Sequence, residues 1–122
     1  MILADTSVWI DHLRKGEPAL ADLLLRSQML THPFILGELA LGSLKHRETV
    51  LGALANLPQT AVATDAEVLH AIDRWKLFGT GIGYIDAHLL AATALTPGTE
   101  LWTRDKRLRE VAERLGLHAG LA

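Results

Sequence analysis

The 122-residue chain has no cysteine, which excludes a disulfide framework, a thiolate zinc site and a cysteine nucleophile. No stretch approaches the ~18 consecutive apolar residues that a membrane span needs. The N-terminus has neither the basic region nor the apolar run of a secretory leader, because Asp5 interrupts its first apolar segment. These absences suit a cytoplasmic protein. No repeat, low-complexity tract or linker-like stretch divides residues 1–122, so the chain reads as one domain. A basic excess is missing too: 12 Lys and Arg against 14 Asp and Glu leave a formal net charge of −2. Nucleic-acid binders usually carry the opposite balance. Such a partner fits only if some of the acids are neutralised, as they are when they hold a cation.

What is present is enough to fold. The composition is 49% hydrophobic and 21% charged, which supports a buried core rather than a disordered tail. Short apolar runs alternate with helical patterns. Residues 2–5 and 29–32 read as strands, as do 60–63 and 99–103, with a short fifth at 117–119. The first helix runs through Leu13 to a stop at Gly16, and Pro18 opens a second with Leu20, Leu23 and Leu24 on one face. Residues 33–45 and 47–57 are helical. Thr64 and Glu67 form a capping box for a helix that turns Val68, Leu69, Ile72 and Trp75 inward. Gly79, Gly81 and Gly83 make a flexible turn before an apolar helix at 85–95. The last helix carries Leu108, Val111, Ala112 and Leu115 on one face. This alternation predicts a three-layer α/β fold with a central, mostly parallel sheet of four or five strands flanked by helices. Ligands in such sheets bind beyond the carboxyl ends of the strands, where Asp5 and Asp105 both fall.

Three acids stand alone. Asp5 is the only Asp, Glu, Lys or Arg in the first ten residues, Glu38 the only one between Ser27 and Leu44, and Asp86 the only one from Phe78 to Thr99. A buried carboxylate without a partner costs several kcal/mol or shifts its pKa until it is neutral. No neighbour in sequence offers a base, whereas a divalent cation favours the ionised form of every ligand. Oxygen ligands without cysteine favour magnesium or manganese over zinc. Asp5 and Asp86 also stand where helix caps belong, and Asp105 reads equally as a solvated helix start. Glu38 lies in mid-helix, where capping does not explain it.

At these residues the chain resembles the PIN-domain family, in particular the VapC-type toxins of bacterial toxin–antitoxin pairs. The resemblance rests on Asp5-Thr6-Ser7-Val8-Trp9-Ile10-Asp11, on Gly37-Glu38-Leu39, on Asp86-Ala87-His88-Leu89-Leu90-Ala91-Ala92 and on Thr103-Arg104-Asp105 followed by Leu108. It covers nearly the whole chain. It implies a cytoplasmic, homodimeric endoribonuclease that cleaves RNA phosphodiester bonds by water activated on Mg2+ or Mn2+. It also implies inhibition by a cognate VapB-type antitoxin. Asp5, Glu38, Asp86 and Asp105 carry over as catalytic metal ligands, direct or through water, with Thr6 and Thr103 as hydroxyl supports. Arg104, Lys106 and Arg107 are candidates for holding the RNA backbone, and equally a solvated helix face. Trp9, Trp75 and Trp102 read as core or interface, and His88 as a packed or surface histidine.

The competing reading from another class is a receiver-type phospho-acceptor signalling domain, with Asp65 as the acceptor. Against it, Asp5 is followed by Thr6 and Ser7 instead of a second acid, and no lysine ends the last strand.

Overall fold

The computed structural model describes residues 1–122. Three short parallel strands form its sheet: β1 (Ile2–Ala4), β2 (Met29–Leu30) and β3 (Glu100–Trp102), in the order β2-β1-β3. Leu3 pairs with Leu30 on one side and Leu101 on the other. Successive strand residues face opposite sides of a sheet. Leu3, Ala4, Met29, Leu30, Leu101 and Trp102 are nevertheless all buried. Both faces are therefore covered, as parallel sheets require.

Seven helices supply that cover: α1 (Thr6–Lys15), α2 (Pro18–Leu25), α3 (Pro33–Leu41), α4 (Arg47–Ala55), α5 (Asp65–Arg74), α6 (Tyr84–Leu95) and α7 (Lys106–Arg114). Their ends follow local chemistry. Gly16 closes α1 at a φ of 79° that a side chain would resist. Thr64 and Glu67 form the reciprocal capping box of α5. Helix α3 stops at Leu41, short of the expected residue 45, because Gly42 takes an extended conformation. Leu108, Val111 and Ala112 bury the inner face of α7. On α5 the expected inward stripe holds for Val68, but Leu69 is 59% exposed, since it lies about 100° further round the helix.

Two expected strands shrink to single bridges. Thr31 pairs with Gln59 and Leu101 with His118, both parallel, so each edge of the three-stranded sheet gains only one residue. At 60–63 the ladder cannot continue: the Thr60 N–H donates to the Thr31 carbonyl at 3.0 Å, but the next donor on that side would be residue 33, and Pro33 has no N–H and opens α3. Strand β2 ends early because the chain turns at His32, whose Nδ1 accepts the Phe34 N–H and caps α3. All three strands end at the same edge, and from that edge the chain enters α1, α3 and α7.

Candidate active site

Three helices present their N-terminal turns to this edge, each with an acid attached. Asp5 leaves β1 and caps α1, accepting the Val8 N–H at 3.3 Å. Asp105 follows β3 and caps α7, accepting the Leu108 N–H at 2.9 Å. Asp86, in the first turn of α6, accepts the Gly83 N–H on Oδ2 at 3.0 Å. The partial positive charge of a helix N-terminus favours a carboxylate there. For Asp5 and Asp86 the capping and the site readings thus describe one arrangement, because the carboxylate that caps also lines the cavity.

Asp5, Glu38 and Asp86 line a cavity of about 320 Å3 together with Thr6, Gly83, Tyr84, Ile85 and Leu89. Asp105 stands outside that lining but near enough to act on the charge of Asp86. The four acids are not equally buried. Asp5 is 5% exposed, Asp86 is half-buried, and Glu38 and Asp105 are exposed. This corrects the expectation for Glu38. Helix α3 is apolar, but its Glu38 face opens at the cavity mouth. Burial raises the Asp5 carboxyl above its ordinary range, against hydrogen bonds from Ser7, Thr103 and Val8 that lower it. Asp86 is raised by burial, opposed by the Gly83 N–H, with Asp105 and Asp5 adding repulsion. Glu38 is raised by partial burial and then by Asp86 and Asp5. As the side chains lie, no three Asp, Glu or His groups close into a cage for an ion. The acids form an open arc.

The hydroxyl supports differ in part from expectation. Thr103 is fully buried and donates to Asp5 Oδ2, while its oxygen accepts the Asp105 N–H at 3.1 Å. Thr6 lines the cavity, but the second hydroxyl on Asp5 is that of Ser7, which also accepts the Arg104 N–H at 3.0 Å. Ser7 lies next to Thr6 in the opening motif, and only the winding of α1 decides which hydroxyl turns back to the cap.

Arg104 is committed elsewhere. Its guanidinium donates to Asp11 and Glu17, each at 2.7 Å, and to the Ala122 carbonyl at 3.0 Å. Those pairs hold both carboxyls below their ordinary range. With two carboxylates on one cation, no net positive charge remains there for a phosphate. Lys106 and Arg107 stay exposed. Arg107 lies over Gly81, where an added Cβ would meet its Cδ at 2.8 Å. The exposed Arg107 side chain can swing aside, so it is the φ of +85° that calls for glycine at Gly81. Trp9 and Trp102 are buried, as expected of core residues.

Asp65 does not have the setting of a phospho-acceptor. It is the first residue of α5 instead of a strand end, and its Oδ1 takes the Tyr84 hydroxyl at 2.8 Å and lies 3.2 Å from His88 Nε2. His88 is 2% exposed, so it is packed, as expected.

Comparison with known proteins agrees with this geometry. The PIN domain family model matches residues 2–114. Ribonuclease VapC32 of Mycobacterium tuberculosis, from strains CDC 1551 / Oshkosh and ATCC 25618 / H37Rv, is 50% identical over 117 residues, 96% of this chain and 94% of the relative. With the parallel sheet, the acids at its carboxyl edge and these matches together, the chain belongs to the PIN-domain family and, within it, to the VapC type.

Proposed function

We propose that this chain is the toxin of a toxin–antitoxin pair, an endoribonuclease that hydrolyses RNA phosphodiester bonds with Mg2+ or Mn2+. It acts as one nuclease domain over residues 1–122. The observation that carries the reading is the single cavity shared by Asp5, Glu38 and Asp86 at the carboxyl edge of the sheet. Their donor chemistry suits a hard divalent ion: carboxylate oxygens with no thiolate. Burial opposes ionisation of all three, with repulsion added at Glu38 and Asp86, and a cation reverses that. Magnesium keeps several waters and takes only one or two carboxylates, so an open arc of acids suits it better than a closed cage.

In this reading Asp5, Glu38, Asp86 and Asp105 are the ligands, direct or through water. A divalent ion bound there supplies an acidified water and offsets charge on the phosphoryl oxygens. The chain's own groups fix the geometry: Ser7 and Thr103 hold both oxygens of Asp5, and the Gly83 N–H holds Asp86. Lys106 and Arg107 are the free cations beside Asp105 and take the RNA backbone. A groove of about 580 Å3 beside Glu38, lined by Ile10, Leu13, Leu39, Leu44 and Val50 among others, suits a segment of a VapB-type antitoxin. The apolar groove between α5 and α6, with Ala71, Trp75, Ala91 and Leu95, suits a homodimer contact. No helix is long and apolar enough to cross a membrane, which accords with a cytoplasmic site of action.

Purified protein is expected to cleave structured RNA with Mg2+ or Mn2+ and to stop in EDTA. Asp5→Asn cleaving as fast as the parent chain would refute the site. Mn2+ is also expected to raise the melting temperature more at pH 8 than at pH 5. The ligand carboxyls are raised, so protons compete with the ion at the lower pH. An Mn2+ shift that is equal at both pH values counts against carboxylate ligation.

A further inference from the structure

Asp65 lies outside the acid quartet, and the nuclease reading gives it no part. Its Oδ1 accepts the hydroxyl of Tyr84 at 2.8 Å and stands 3.2 Å from Nε2 of His88. An ionised carboxylate only accepts, so the imidazole proton sits on Nε2. Both rings belong to α6, and Asp86 lies midway between them in sequence. At about 100° per residue, Tyr84 and His88 share one face while Asp86 projects from nearly the opposite one. Holding the two rings therefore fixes the rotation of the turn that aims Asp86.

The same rings reach the helix that carries Glu38. His88 meets Tyr84 edge to face at 4.7 Å between centroids and Phe34 at 4.8 Å. Phe34 is one turn before Glu38 on α3, on the same face. Phe34 also packs against His32, the residue that caps α3, at 5.1 Å. Edge-to-face pairs of this kind are directional. A continuous row of rings thus links α3 to α6, and Asp65 anchors its outer end to α5. Tyr84 also lines the acid cavity.

We infer that Asp65 is a positioning residue for the divalent-ion site, setting Asp86, and through the ring row Glu38, at their working orientations by gripping Tyr84 and His88. The inference rests on the nuclease reading of the acids. The Asp65 side chain is 80% exposed and the α5 capping box lies on Thr64 and Glu67, so its removal leaves the helix start intact.

Mn2+ binding to the purified full chain, followed by loss of the free-ion EPR signal, tests this alongside the melting temperature in EDTA. Asp65→Ala is expected to weaken Mn2+ about tenfold, as partners behind metal ligands do, with the melting temperature nearly unchanged. Asp65→Asn is expected to recover most of the loss, because its amide oxygen accepts the same two donors. Unchanged affinity in Asp65→Ala overturns the inference, whether or not the melting temperature falls. So does a loss in Asp65→Asn equal to that in Asp65→Ala. Should Asp65→Ala not fold, Tyr84→Phe removes one grip and keeps the ring. It is expected to weaken Mn2+ several-fold, and no change there overturns the inference. A parent chain that takes up no Mn2+ overturns the nuclease reading and this inference with it. Parent binding that Asp86→Asn abolishes and Asp65→Ala leaves alone overturns the clamp only.

Discussion

Asp86→Asn is expected to leave the protein more stable without metal and nearly inactive with it. Asparagine keeps an oxygen for the Gly83 N–H, so the first turn of α6 retains its cap. It removes a charge that burial, Asp105 and Asp5 all oppose. The sign follows from linkage. The folded Asp86 carboxyl titrates above its unfolded value of 3.8. Relative to the unfolded chain, its contribution to stability is therefore fully present below that value and lost as pH rises through the folded pKa. Asparagine does not titrate, so the gain of the variant over the parent grows across that window and levels off above it. Melting in EDTA from pH 4 to pH 8 measures the gain. Cleavage with Mg2+ is expected to fall by more than the ~10–100-fold that supporting partners of a metal ligand cost. A variant that melts no higher than the parent at pH 8 shows that Asp86 is not strained in the empty site. One that cleaves within tenfold of the parent shows that it is no ligand.

Thr103→Val is expected to cost both stability and activity. The exchange nearly preserves shape at a fully buried position, so packing changes little. It removes the hydroxyl that donates to Asp5 Oδ2 and accepts the Asp105 N–H. The buried Asp5 oxygen left without its donor costs about 1–3 kcal/mol, which is large against a total of roughly 5–15 kcal/mol. Urea unfolding in EDTA reads this loss. The same hydroxyl joins the ends of β1 and β3, so cleavage is expected to drop ~10–100-fold. Thr6→Val serves as the comparison. Thr6 lines the cavity, but the hydroxyls on Asp5 come from Ser7 and Thr103. Its stability is expected to stay close to the parent, and equal losses in the two variants would contradict the assigned network.

Some features of the fold were legible because they depend on near neighbours. The capping box of Thr64 and Glu67, the stop at Gly16 and the inner face of α7 each involve residues within a turn or two, and each stands where periodicity places it. The acids were legible as lone charges in apolar surroundings. That reasoning holds fully for the buried Asp5 and in part for Asp86. It fails for Glu38, because an apolar helix can turn one face to a cavity, and nothing in residues 33–41 says which face.

Partners distant in sequence were beyond its reach. Arg104 looked like a phosphate contact from its basic neighbours, but Asp11 and Glu17 take its guanidinium from across the fold. The segment at 60–63 has the apolar pattern of a strand, but its neighbour across the sheet edge, 27 positions away, is Pro33 at the start of α3, which has no N–H to continue the ladder. Asp65 drew notice as an acid after a supposed strand. Its contacts with Tyr84 and His88 depend on how α5 packs on α6.

The sequence alone determined the helices and the parallel α/β class, since caps and apolar period are local properties of the chain. Isolated charge singled out Asp5, Glu38 and Asp86 as candidates, and the family resemblance added Asp105. Tertiary structure decided which acids share a cavity, which are buried, which hydroxyls hold Asp5 and which cations remain free. Those depend on where β1, β3, α3 and α6 come to rest beside one another. Hydrogen bonds and desolvation act over a few ångströms of space, whatever the distance along the chain.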